Sequence, residues 1–290
     1  MTRDGGLEQT RPTGRDRARG LVSSRASGRR VEARTYAPPK DLQDLVEGFW
    51  IGAWDLRGQP PHTTELIGDP AIHLCFEAGT GRIVGVWTHL WIRTLEGRGR
   101  VRAVKLRPGA ARAFLPGPAS AYSDRITPLE QVFDATRALI ASVLEPTEER
   151  AFGALAAWLR AQRRDDEDVA RAVKLVASLR GSGLNRVDAL ARRAGLSVRS
   201  LQRLFRDHVG ASPKQVMRWV RLQEVALRVE AGEVIELASL AYQLGYADQA
   251  HLARDFRAVT GKTPRGFEAS IDRLPGGPLQ PGDRGPKPAP

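Results

Sequence analysis

The clearest pattern along this chain is a helical period that occurs twice towards the C-terminus. Val187, Leu190, Ala191 and Ala194 fall at i, i+3, i+4 and i+7, and Leu237, Leu240, Ala241 and Leu244 repeat that spacing. Each set lines one apolar face of a helix. A glycine stops each helix, Gly195 in one copy and Gly245 in the other, where a C-terminal cap wants positive φ. Ser197 or Asp248 then caps a second helix, which carries Leu201, Leu204 and Phe205 in the first copy and Leu252 and Phe256 in the second. That helix closes at Gly210 or Gly261. Ser212-Pro213 or Thr263-Pro264 opens a third, with the hydroxyl residue as N-cap and the proline as first helical residue. Ser212 and Gln215 have the spacing of a capping box. The copies are offset by 50 residues across the first helices and 51 across the second, so the second copy has one extra turn residue. Helix, glycine turn, helix is the helix-turn-helix pattern. A generic helical hairpin looks the same; two copies in register are far more specific.

Between the copies, Pro213 to about Ala231 reads as one helix, about 28 Å long at ~1.5 Å per residue. Upstream the period changes. Ala71–Phe76, Arg82–Trp87 and Val101–Leu106 are short β-prone runs bounded by Gly, Pro or Asp, Pro108-Gly109-Ala110 reads as a turn, and helical patterns follow from Leu129 to Leu159. The expected architecture is an α+β domain over 35–165, then an all-α domain over 166–272 made of two helix-turn-helix units joined by a long helix. Residues 1–34 are rich in Arg, Gly, Ser and Thr with few apolar residues, and 273–290 are rich in Pro and Gly. Neither buries enough surface to offset ordering entropy, so both are expected to be disordered, the first as a basic arm.

Composition narrows the function classes. Lys and Arg number 45 against 33 Asp and Glu, a net charge of +12. That excess favours a polyanionic partner (DNA, RNA or an acidic membrane) without choosing among them, and an arginine bias with no binding role gives the same sum. The one cysteine, Cys75, excludes an intramolecular disulfide and a cysteine-based zinc cluster, and suits a reducing, cytoplasmic setting. No apolar run reaches the ~18 residues of a membrane span, and no apolar segment follows the N-terminal arginines as a secretory signal requires. No membrane partner and no cofactor are expected.

The residues of the repeat also carry a family resemblance. Gly245-Tyr246-Ala247-Asp248, Leu252, Phe256-Arg257, Gly261, Thr263-Pro264 and Phe267 closely resemble the signature of AraC/XylS-type transcriptional regulators. Leu190-Ala191, Gly195-Leu196-Ser197, Leu201-Gln202-Arg203-Leu204-Phe205 and Gly210-Ala211-Ser212-Pro213 fit it too. The likeness spans roughly 166–272; Gly266-Phe267-Glu268 departs from it where many members have an aromatic followed directly by Arg. The N-terminal region is similar to a less characterised sensing domain of some members, through Tyr36-Ala37-Pro38-Pro39, Val104–Ala111 and Pro118-Ala119-Ser120. The resemblance implies a sequence-specific DNA-binding regulator of transcription initiation. Its partners would be double-stranded DNA and RNA polymerase, with a small-molecule effector and homodimerisation both open to it. Successive major grooves on one face of B-DNA lie ~34 Å apart, near the length of the connecting helix.

On the first recognition helix, Leu201, Leu204, Phe205 and His208 take the inner face, leaving Arg199, Gln202, Arg203 and Arg206 outside. Arginine reads guanine and glutamine reads adenine through paired hydrogen bonds, so Arg199, Gln202 and Arg203 are the expected base readers, as the resemblance also implies. Arg206, a turn later, is assigned to phosphate with Ser200. In the second copy the outer face is Gln249, Ala250, Ala253, Arg254 and Arg257. Gln249 and Arg254 match DNA-contacting positions of the family, Arg257 is assigned to the backbone, and this half should read less sequence. Lys214, Arg218 and Arg221 are either phosphate contacts, the role given to Arg218, or solvated charge.

Four of the six tryptophans, Trp50, Trp54, Trp87 and Trp91, lie in the strand-like part of the N-terminal domain, as lining of an effector pocket or as core. His73 and Cys75 alternate on one strand and could share a metal with His62 or His89, but no ligand spacing supports a site. Asp165-Asp166-Glu167-Asp168 suits a linker and helix start. The rival reading is an enzyme carrying the same DNA-binding module, such as an alkyl-transfer protein. Cys75, the sole candidate acceptor, lacks the Cys/His context of an activated thiolate.

Overall fold

The computed structural model describes residues 31–66, 68–230 and 236–267. Eight strands form the N-terminal half: β1 Val31–Tyr36, β2 Val46–Asp55, β3 His62–Leu66, β4 His73–Glu77, β5 Thr80–Val84, β6 Trp91–Leu95, β7 Arg98–Leu106 and β8 Ile126–Pro128. Six make one antiparallel sheet in the order β1-β2-β7-β4-β5-β8, and β3 pairs with β6 in a separate ribbon. Alternation along β2 sets the two faces of the large sheet. Phe49 and Ile51 point into the main core, where Phe49 stacks on Phe152 at 5.0 Å. Trp50 and Trp54 take the other face with Cys75, Val101 and Ala103, over which β6 lays Leu95.

Helices α1 Thr136–Val143 and α2 Glu148–Gln162 cover the first face. Arg102, on β7, is 1% exposed and reaches across to the end of α1. Its guanidinium donates to the carbonyls of Val143 (2.8 Å), Glu145 (2.6 Å) and Pro146 (3.1 Å). Carbonyls left over where a helix stops need such donors, so this buried charge joins the sheet to its helical layer. The strand-prone runs overlap β4, β5 and β7, although β4 starts only at His73 and β5 ends at Val84, leaving Gly85–Trp87 outside any strand. The start of the domain also differs from the expectation: residues 31–34, assigned to the disordered arm, belong to β1, which pairs along β2 from Val31↔Trp54 to Tyr36↔Phe49. An edge strand keeps one side in solvent and needs few apolar residues, which hid it from a hydrophobicity reading. The remainder of the arm and the 273–290 tail lie outside the described residues.

The C-terminal half comprises α3 Glu167–Ala177, α4 Val187–Arg193, α5 Val198–Leu204, α6 Pro213–Glu230, α7 Leu237–Gln243 and α8 Gln249–Thr260, and a further helix opens at Pro264. Helices α4–α5 and α7–α8 are the two helix-turn-helix units. Their turns match bond for bond: Leu196 N donates to Ala191 O and Tyr246 N to Ala241 O, both at 2.9 Å. Gly195 and Gly245 sit at φ 63° and 72°, the left-handed region this cap demands. Helix α5 then widens over Phe205–Val209, where Gly210 N reaches back five residues to Phe205 O at 2.8 Å, a π-turn absent from the expected pattern.

The first unit shares its core with the N-terminal domain. Leu201, Phe205, Val209 and Trp219 belong to one buried cluster with Phe114, Ala119 and Tyr122. Gly68, from the sheet domain, lies so close to the Trp219 indole and the Trp87 carbonyl that a Cβ there would meet them at 3.0 Å and 2.5 Å. The second unit closes a core of its own from Leu222, Val225, Leu240, Leu252, Phe256 and Phe267, touched from the sheet domain by Leu90.

Candidate nucleic-acid interface

The Ser197 hydroxyl accepts from Ser200 N at 3.0 Å and donates to the Ser200 hydroxyl at 2.9 Å, which fixes the first turn of α5. With the start of the helix pinned, its amphipathic pattern decides which side chains meet solvent. Leu201, Leu204, Phe205 and His208 are buried; Arg199, Gln202, Arg203 and Arg206 are exposed. The structure therefore brings the four expected residues onto one solvent-facing strip of a capped helix. Val198, 40% exposed, extends the strip with an apolar patch that charge-led reading overlooked. Ser200 stands at the N-terminal end of the strip, half-buried. Arg206 is less free than expected, because the neighbouring Asp207 accepts from its Nε at 2.9 Å.

In the second unit Asp248 Oδ1 accepts from His251 N at 2.6 Å and pins the start of α8. Leu252 and Phe256 face the core, while Gln249, Ala250, Arg254 and Arg257 are exposed. His251 is exposed beside them, so α8 presents Gln249, His251, Arg254 and Arg257, two arginines against the three of α5. The connecting helix α6 has 18 described residues, about 27 Å at ~1.5 Å per residue. Ser212 caps it, accepting from Gln215 N at 3.3 Å. Arg218 does not join the exposed strips: its guanidinium turns to the second unit, where Nε lies 2.7 Å from Asp255 Oδ1.

Behind the α5 strip is a polar joint that sequence reasoning missed. Asp166, the N-cap of α3, receives Arg112 Nε at 2.6 Å and sits 3.0 Å from His208 Nε2. Burial works to raise the Asp166 carboxyl, but the bonds from His208 and Arg112 outweigh it and bring it down to about 2. Ser123 Oγ donates to Gly210 O at 2.5 Å beside this joint. The inner end of the recognition helix is thus bolted to the sheet domain. The partners lie 42 to 87 positions apart in sequence, too far for any periodicity to connect them.

The tryptophans divide. Trp50 and Trp54 share one cluster on the sheet; Trp50 Nε1 donates to His73 Nδ1 at 3.1 Å and Trp54 Nε1 to Glu96 O at 3.0 Å. Arg93 lies 5.2 Å over the Trp54 ring, and Trp91, two residues away on β6, takes the same side of that strand. The backbone carbonyl of Trp87 comes close to Gly68, beside the Trp219 indole. Burial, together with Lys105, which Glu47 and Asp69 flank, pushes His73 down to about 4, so it is neutral at pH 7. Burial also pushes the Cys75 thiol up to about 12, the reverse of what an alkyl acceptor requires. Among the described residues no three His, Cys, Asp or Glu side chains are grouped to hold a metal ion, and no helix is long and apolar enough to cross a membrane.

Comparison with known proteins places both halves. Residues 190–270 match the family described as a helix-turn-helix domain, and residues 34–128 match a domain of unknown function, DUF6597. The HTH-type transcriptional regulator GlxA of Rhizobium meliloti is 36% identical over 76 residues, 26% of this chain and 23% of GlxA. The HTH-type transcriptional activator RhaS of Pectobacterium carotovorum is 27% identical over 77 residues, 27% of each chain. The chain thus spans about a quarter of the length of the curated relatives it matches. Among solved structures, ToxT of Vibrio cholerae is 12% identical with a TM-score of 0.42, over 80% of this chain and 98% of that one. The chain carries, at residues 190–270, a helix-turn-helix domain of the AraC/XylS type, preceded by a sheet domain whose family has no known function.

Proposed function

We propose that this chain is a sequence-specific DNA-binding regulator of transcription initiation that reads two adjacent major grooves of one duplex. One observation carries the reading: two capped helices, the first packed on the core shared with the sheet domain and the second on the core of its own unit, present Arg199, Gln202, Arg203 and Arg206 on one and Gln249, Arg254 and Arg257 on the other to solvent. In this reading Arg199, Gln202, Arg203, Gln249 and Arg254 meet base edges. Ser200, Arg206 and Arg257 meet phosphates, and RNA polymerase is the downstream partner. The chain acts by binding and carries no catalytic step, which accords with the regulator names of its relatives and with the buried, protonated Cys75.

The sheet domain is the place for a small organic effector or for self-association. The Trp50–Trp54 face, with Trp91 and Arg93 on β6 beside it, offers the aromatic and cationic lining. A cytoplasmic setting follows from this role.

The test is selection of duplexes by the full-length chain from a random-sequence pool, followed by binding measurements at two salt concentrations. Two enriched half-sites about one helical turn apart are expected. Retention of all sequences alike, governed only by salt, would reduce the reading to non-specific polyanion binding.

A further inference from the structure

The second recognition helix is held by a cluster that neither the repeat pattern nor the outer face explains. Asp255 lies on α8 between Arg254 and Arg257, yet its side chain turns inward and is 19% exposed. Both its carboxylate oxygens are engaged: Oδ1 by Arg218 of α6 at 2.7 Å, and Oδ2 by the Tyr246 hydroxyl, which donates at 2.8 Å. Arg218 Nη2 also donates to the Asp255 carbonyl at 3.3 Å. One turn along α6, Arg221 sits 4.4 Å over the Tyr246 ring, a cation–π contact. A second brace comes from ahead of the first unit, where Asn185 Nδ2 donates to Gly245 O at 3.0 Å. A Cβ on Gly245 would lie 2.6 Å from that amide, so the turn of the second unit is closed tightly around it.

Apolar packing among Leu222, Val225, Leu252 and Phe256 holds α8 against α6, but such contacts are non-directional and leave rotation and sliding weakly fixed. The Arg218 ion pair, its hydrogen bond to the Asp255 carbonyl and the hydrogen bond from Tyr246 to the carboxylate supply what is missing. We infer that Asp255, gripped by Arg218 and Tyr246, is a positioning residue that sets the phase of the second recognition helix against the first, and hence the half-site spacing the protein accepts. Arg218 in this role is an internal strut and not a phosphate contact. The inference rests on the two-groove reading above.

The test uses the full-length chain and the best duplex it selects from a random pool, with one or two base pairs added or removed between the half-sites. For the wild-type chain each change of spacing should cost about tenfold or more in affinity, because rigidly joined modules lose their joint binding when geometry forbids it. Asp255→Asn and Arg218→Met should weaken binding at the native spacing by about threefold to tenfold and flatten the spacing profile to within about threefold. Tyr246→Phe removes one oxygen partner and should flatten it in part, which keeps the test open if Asp255→Asn folds poorly. Profiles for Asp255→Asn and Tyr246→Phe parallel to wild type would overturn the inference. So would a uniform loss for Arg218→Met with a reduced salt slope, the signature of a phosphate contact. Selection that enriches no sequence would instead remove the two-groove reading itself.

Discussion

Leu201 and Phe205 of the first helix-turn-helix unit are buried in a core that runs on into the sheet domain, whereas Leu252 and Phe256 of the second close a core built from α6, α7 and α8. The two units share a turn, a cap position and an apolar face, and differ in what surrounds them. The first has three outward arginines and the polar joint to the sheet domain, so α5 is the recognition helix tied directly to that domain. The second has a leaner strip, and its polar bonds run mainly to α6 and to Asn185. One motif used twice has therefore been divided between a coupled reader and a braced one.

The largest test of this division is in the cores. Phe205→Ala and Phe256→Ala each remove a side chain that is 0% exposed, and each should cost about 3–5 kcal/mol. Phe205→Ala should lower the unfolding transition of the sheet domain together with that of the first unit. Phe256→Ala should lose the second unit while the sheet domain, followed by tryptophan fluorescence, melts as before. Equal effects on the sheet domain would mean that the two cores are one cooperative unit.

Next in size is the reading face. Arg203→Ala or Arg199→Ala should cost about 1–3 kcal/mol of DNA binding and relax preference at one or two base pairs, as loss of a bidentate guanine contact does. Arg254→Ala should disturb only the other half-site, and by less. Saturation binding over operator variants separates these outcomes, and losses that ignore the base pair would assign all three arginines to phosphate.

The joint behind α5 gives a pH test that the second unit lacks. Asp166 is held at about 2, below its ordinary 3.8, so its contribution is complete above the unfolded value and is lost as pH falls from about 4 to about 2. Asp166→Asn should remove on the order of 1–2 kcal/mol of unfolding free energy at neutral pH and flatten the acid limb of stability against pH. An unchanged acid limb would show that His208 and Arg112 do not favour the charged carboxylate.

What was legible in the sequence was local. The 3.6-residue period, the glycine turns and the caps at Ser197, Ser212 and Asp248 all depend on residues within one or two turns, and each stands where the pattern put it. The exposed strip of α5 followed from the same period. What escaped was long-range or cryptic. Arg102 looked like a polar position on a strand, although its charge is taken up by carbonyls more than forty residues away. Arg218 had the spacing of a surface cation, and only the packing of α8 against α6 places Asp255 opposite it.

The smallest effect probes the ends of the two recognition helices. Ser197 caps α5 with a neutral hydroxyl, and Asp248 caps α8 with a carboxylate. Both satisfy the orphan amides of the first turn, so exchanging them should change stability by only a few tenths of a kcal/mol. Their charges differ where each helix would enter a groove. A carboxylate there repels the phosphates, which gives a second reason, beside its alanines, for the weaker reading expected of the second unit. Asp248→Ser should tighten DNA binding at low salt by roughly 0.5–1 kcal/mol, and Ser197→Asp should weaken it by a similar amount, both effects fading as salt shortens the screening length. If Asp248→Ser leaves affinity unchanged at every salt concentration while Ser197→Asp weakens it, the start of α8 does not approach the duplex, and the first unit alone carries the groove contact.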